Sequence, residues 1–225
     1  MAPGKTDVKK NDSGTLYSMS PGGERFPLPQ PQDYAAEFKR MQALAERARS
    51  EGKEIVVVMG VGFVGAVMAA IIADSRDAQG RNSKFVIGCQ RPSTRSYWKI
   101  PLLNRGASPV TAEDPEVDAI IKRCVAEKKT LVATYNSECL SLADCVVVDV
   151  QCDYTKHDLG DMRTGETEMA ALEETMRTIG RTIPPSCLVL IETTVAPGTT
   201  EFVAWPILKK SFAQRGIGSE PLLAH

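Results

Sequence analysis

Val56-Val57-Val58-Met59-Gly60-Val61-Gly62-Phe63-Val64-Gly65 decides the fold of this chain: an apolar run ends in a Gly-x-Gly-x-x-Gly turn, and small apolar residues follow. That order reads as a buried strand, a tight turn and the start of a helix. Gly60 suits a backbone conformation that a Cβ resists, Gly62 leaves room for a pyrophosphate at the main chain, and Gly65 lets the helix lie close on the strand. The first amides of the helix and the positive end of its dipole then face an anionic ligand. Gly60, Val61, Gly62, Phe63, Val64 and Gly65 are therefore the expected seat of a dinucleotide. A glycine-rich turn without a ligand is the competing reading, and the strand before and helix after it favour the dinucleotide.

Outward from this turn, short apolar runs recur without alternation at 85–88, 131–133, 145–148 and 187–191, as expected for strands covered on both faces. Helical spacing fills most of the gaps, through Val117, Ile120, Ile121 and Cys124, through Met169, Leu172, Met176 and Ile179, and through Phe202, Trp205, Ile207, Leu208 and Phe212. Alternating strands and helices predict an α/β fold with a doubly wound parallel sheet of Rossmann type. After the helix ending near Arg215 a further strand would be expected, and the chain ends at His225, so the sheet is expected to be truncated before its last strand. Residues 1–32, rich in Gly, Pro, Ser, Lys and Asp, read as a disordered or extended arm. Residues 33–52 read as an N-terminal helix carrying Ala35, Phe38, Met41, Leu44 and Ala45 on one stripe, and 53–225 as the dinucleotide-binding domain.

Composition narrows the function. With 225 residues the chain can bury a core without disulfides or metals, and a net charge of −1 offers no basic surface to nucleic acid or an anionic membrane. The apolar stretch at 61–73 is too short to cross a bilayer, and 1–23 has no apolar core for a signal peptide, so a cytoplasmic protein is expected. Cys89, Cys124, Cys139, Cys145, Cys152 and Cys187 form no C-x-x-C pair, and His157 and His225 make no ligand cluster, so no metal is expected and the thiols read as reduced.

Ligands of doubly wound sheets bind at the carboxyl ends of the strands. There, the residue ending the second strand is Gln90, where an acid usually accepts from the adenosine ribose, and it follows the first glycine by more than the usual spacing of about 20. Gln90 can still bond a hydroxyl but lacks the charge that repels a 2′-phosphate, and Arg91 and Arg95 stand close by. NADP thus stays open beside NAD. At the end of the fifth run, Glu192-Thr193-Thr194-Val195-Ala196-Pro197-Gly198-Thr199-Thr200 joins strand to helix. Thr199 or Thr200 reads as a helix cap, whereas Thr194 sits where its hydroxyl could face a nicotinamide or a reacting water.

The Gly60 turn, the segment 99–109 with Leu103-Asn104-Arg105-Gly106 inside it, and the string Glu192 to Thr200 together resemble the N-terminal NAD-binding domain of the nucleotide-sugar dehydrogenases, the family of UDP-glucose, GDP-mannose and UDP-N-acetylmannosamine dehydrogenases. The resemblance covers roughly 54–225, and Thr-Val-x-Pro-Gly-Thr-Thr is its most specific part. It implies oxidation of a sugar C6 alcohol to a carboxylate with two hydrides passed to NAD. It also implies a pyrophosphate on the glycine turn, a ribose at Gln90, a basic residue at Arg95 near the adenosine, and the nicotinamide and a catalytic water at Thr194; Arg91, Val150 and Gln151, at the strand ends, are further expected cofactor contacts.

Departures accompany it. Asp149-Val150-Gln151-Cys152-Asp153-Tyr154 replaces a Thr- and Pro-containing turn, and the family's nucleophilic cysteine, lysine and asparagine lie beyond the matched region. Cys152, with Lys156 and His157 nearby, is the one cysteine placed to substitute. The expectation is a cofactor-binding portion, inactive alone, whose nucleotide-sugar substrate is met through a C-terminal half, with homo-oligomerisation left open. A relative of the 6-phosphogluconate-type dehydrogenases and a non-catalytic dinucleotide-binding module or subunit are the alternatives.

Overall fold

The computed structural model describes residues 15–155 and 166–225. Around a parallel sheet the chain runs β1 (Tyr17–Met19), β2 (Arg25–Pro27), α1 (Asp33–Ser50), β3 (Glu54–Met59), α2 (Phe63–Asp74), β4 (Lys84–Cys89), α3 (Lys99–Asn104) and α4 (Glu116–Lys122). It continues with β5 (Leu131–Thr134), β6 (Cys145–Val148), β7 (Asp153–Thr155), β8 (Glu166–Glu168), α5 (Ala170–Thr182), β9 (Leu188–Ile191), α6 (Trp205–Gln214) and β10 (Leu222–Ala224). The main sheet has six strands in the order β10-β9-β6-β3-β4-β5. This is the doubly wound Rossmann order, with the reversal between β3 and β6.

Alternation along each strand divides the core into two faces. Ile55 and Val57 point to one face with Phe85, Ile87 and Val189, while Val56 and Val58 point to the other with Val86 and Val147. The second face is covered by α2, α3 and α4 through Ala66, Ala69, Ala70, Leu103 and Ile121. On the first face α5 and α6 contribute Leu172, Met176, Ile179, Leu208 and Phe212. Between β5 and β6 the connection is only a 3₁₀ turn, Ser137–Leu142, too short to shield that face. Helix α1 takes the place of a longer crossover: Met41, Ala45 and Ala48 lie at helical spacing and pack fully buried against β3, β4 and β5.

Two expectations are corrected. The sheet is not truncated: Leu222, Leu223 and Ala224 pair in parallel with Leu188, Val189 and Leu190. Such a short edge strand makes little sequence signal, because it pairs on one side only and needs few apolar residues. The N-terminal arm is also structured over its described part, since Tyr17–Met19 and Arg25–Pro27 pair antiparallel around the positive-φ Gly23. This hairpin is tied to the domain by the Trp98 amide donating to buried Ser18 Oγ at 3.2 Å and by Arg105 gripping Glu24 with two bonds of 2.9 and 2.8 Å.

Candidate functional site

At the carboxyl edge of the sheet the chain leaves β3 through Gly60, whose φ of +99° is left-handed, and enters α2 at Gly62. A Cβ on Gly60 would lie 2.5 Å from the Asp149 carbonyl oxygen, and one on Gly65 would lie 1.8 Å from the Gly60 carbonyl oxygen. Both glycines are demanded by the protein's own packing. Gly62 is different: it has an ordinary extended backbone, and a Cβ there would meet nothing within 4 Å. Neither conformation nor packing requires a glycine at that position, whereas a phosphate seated on the first turn of α2 does. No side chain caps α2, so its first amides are open to such an anion.

The turn is braced from β4. Gln90 Oε1 accepts from the Val61 amide at 3.0 Å, and Gly88 is held to a hydrogen because a Cβ would lie 2.7 Å from Val61 Cγ1. Gln90 therefore spends its oxygen on the glycine turn, and its amide nitrogen, 3.5 Å from Ser96 Oγ, is the group left for a ribose.

A cleft of about 790 Å³ runs along this edge. It is walled by Gly60 and Gly62, by Gln90, Arg91, Ser96 and Lys99 beyond β4, by Tyr135 and Ser137 beyond β5, and by Asp149, Val150 and Gln151 beyond β6, with the first turns of α5 opposite. Its volume is in the range of small-molecule and cofactor sites. Of the residues expected from the sequence, Gly60, Gly62, Gln90, Arg91, Val150 and Gln151 meet here. Val61 is buried behind the turn, while Phe63 and Val64 stand exposed at the start of α2. Arg95 lies outside the lining, exposed, with its carbonyl accepting from Trp98 Nε1 at 2.9 Å. Thr194 is exposed just past β9 and also outside the lining. Its neighbour Thr193 instead donates to the Val150 carbonyl at 2.7 Å and locks the ends of β6 and β9 together. Thr199 begins the last helix without a side-chain cap bond, contrary to the capping role expected of it.

Lys99, Tyr34 and Tyr135 also line the cleft and carry no sequence motif that would single them out. Asp149 and Glu192 form a second unforeseen feature, at the ends of β6 and β9. Asp149 Oδ2 and Glu192 Oε2 are buried without a donor among the described residues. Burial, and then the neighbouring Glu192 carboxylate, push Asp149 up to about 7. Cys152 is less suited to nucleophilic work than its position suggests, because burial raises its thiol and Asp153 adds to the effect. Lys156 and His157, its candidate activators, lie outside the described residues.

A Rossmann sheet, an anion-ready helix start and a cleft across the reversal of strand order define a dinucleotide-binding domain. A profile of the UDP-glucose/GDP-mannose dehydrogenase family, NAD binding domain, matches residues 54–221. The chain belongs to this family, and residues 54–221 are its NAD-binding domain. Between the cofactors left open by Gln90, the family decides for NAD.

Among curated relatives, GDP-mannose 6-dehydrogenase of Pseudomonas putida is 27% identical over 174 residues, 74% of this chain and 35% of that protein. UDP-N-acetyl-D-mannosamine dehydrogenase of Pyrococcus horikoshii is 26% identical over 150 residues, 66% of this chain and 30% of that protein. Among solved structures, the NDP-N-acetyl-D-galactosaminuronic acid dehydrogenase of Methanosarcina mazei superposes with a TM-score of 0.61 at 30% identity, over 76% of this chain and 33% of that one. The chain thus spans about a third of the length of the relatives it matches.

Among the described residues no helix is long and apolar enough to cross a membrane.

Proposed function

We propose that this chain is the cofactor-holding portion of an enzyme that oxidises the C6 alcohol of a nucleotide sugar to a carboxylate. Bound NAD supplies the hydride acceptor. The open space at Gly62 carries the reading, since the protein itself gives no other reason for a glycine there. The first amides of α2 hold the pyrophosphate, Gln90 stiffens the turn through Val61 and offers its amide nitrogen to the ribose, and Arg91 lies toward the adenosine. Arg95 contributes charge from outside the cleft. Val150 and Gln151 border the cofactor beyond β6, and Thr194, past β9, lies on the side where the nicotinamide falls.

The sugar site and a cysteine able to carry the second oxidation belong, in this proposal, to a C-terminal half, met either in one longer chain or as a separate subunit. Phe63, Val64 and Phe202 support it: they are 66%, 54% and 72% exposed, and Phe63 and Val64 stand at the rim of the cofactor turn, where a second half would cover them. Six free thiols fit a reducing compartment, and we place the protein in the cytoplasm.

The test is to follow NADH formation with UDP- and GDP-sugars, using this chain alone and then mixed with a separately produced sugar-binding half. The expected outcome is no turnover alone and turnover in the mixture. NAD binding with no turnover in either case would favour a non-catalytic module instead.

A further inference from the structure

We propose that helix α1, which lies outside the family-matched residues 54–221, completes the cofactor site, with the ring of Tyr34 covering the adenine of NAD. The inference rests on the NAD-binding reading and adds to it a residue from outside the family-matched segment.

The direction of the ligand follows from the topology. With the pyrophosphate on the turn after β3, the ribose lies at the end of β4, and the adenine falls beyond it toward β5. β5 is the edge of the sheet, so no further strand bounds that end of the cleft. The polypeptide that does bound it comes from α1. Its first turns are fastened to the carboxyl end of β5: Thr134 Oγ1 donates to Glu37 at 2.6 Å, Asn136 Nδ2 donates to the Tyr34 carbonyl at 2.9 Å, and Arg40 donates to the Ala133 carbonyl at 3.3 Å. The ring of Tyr34 meets that of Tyr135 edge-on, with centroids 5.1 Å apart at 79°. Both tyrosines line the same cleft as Gly60, Gly62 and Gln90, with Ser137 beside them.

An aromatic ring pinned at a half-buried position, on the side of the cleft where a purine must lie, offers a stacking face at little entropic cost. The bond from Asn136 uses the Tyr34 main chain, so it holds the helix in place whatever the side chain. The position of the helix therefore does not depend on the ring, whose only ring contact among the described residues is Tyr135.

Calorimetric titration of the wild type, Tyr34→Leu and Tyr34→Phe with NAD and with ADP-ribose tests the inference, with thermal melts of all three proteins alongside. Tyr34→Leu keeps an apolar side chain against Tyr135 and removes only the ring face. The expected result is about tenfold weaker binding of both ligands by Tyr34→Leu, with Tyr34→Phe within about twofold of wild type. Equal binding by wild type and Tyr34→Leu overturns the inference while leaving the NAD-binding reading intact. Equal weakening in the Leu and Phe variants also overturns it, since that pattern follows from a disturbed helix rather than a lost ring. Failure of the wild type to bind either ligand overturns the reading beneath it.

Discussion

Gly62 and Gly65 share one turn and answer an added side chain in opposite ways. At Gly62 the space is open, so Gly62→Ser supplies a helix cap and is expected to keep stability or raise it by a few tenths of a kcal/mol, while weakening NAD about tenfold or more by filling the phosphate seat. At Gly65 the new Cβ meets the Gly60 carbonyl, so Gly65→Ala is expected to lose about 1–3 kcal/mol in a urea titration. The Asp149–Glu192 pair predicts a pH effect. Because the folded state raises the Asp149 pKa to about 7, it holds the proton more tightly than the unfolded chain does. That contribution is complete at acid pH and is lost as pH rises toward 7 and beyond, so the Tm advantage of Asp149→Asn over wild type should widen between about pH 5 and about pH 8. An advantage that stayed constant would show that the fold does not raise Asp149. The glycines were legible from sequence because their demands are local. Gln90 was legible as a strand end but not as the brace of Val61, and the carboxyl pair was invisible, because both depend on which strands lie side by side.

Among the elements, α1 shows the same division. Its stripe of Met41, Leu44 and Ala45 marked it as a helix, yet nothing in the stripe says which face of the sheet it covers. That follows from the brevity of the connection between β5 and β6, which leaves Phe85, Ile87 and Val132 without a crossover helix above them. Met41 is fully buried in that layer, and Met41→Ala is expected to cost about 2–4 kcal/mol by urea unfolding. A loss within about 0.5 kcal/mol, the usual range for a surface position, would mean that α1 is not part of the core. The hairpin of β1 and β2 and the strand β10 escaped sequence reading for a related reason: each has only three residues and owes its place to contacts with the rest of the fold.

For the molecule as a whole, the two faces of the sheet are packed while the carboxyl edge is left open, and the exposed large apolar side chains of the turn stand at that edge. A domain so arranged can orient an oxidant, and Cys124 and Cys187 are buried thiols raised to about 11 and about 12, with Cys152 raised as well. The central claim is therefore that the chain binds NAD through the turn at Gly60 to Gly65. Calorimetric titration with NAD of the wild type and of Gly62→Ser addresses it most directly. The account predicts saturable binding by the wild type and markedly weaker binding by a variant that melts no earlier. Undetectable binding by the wild type, or equal binding by both proteins, would contradict it.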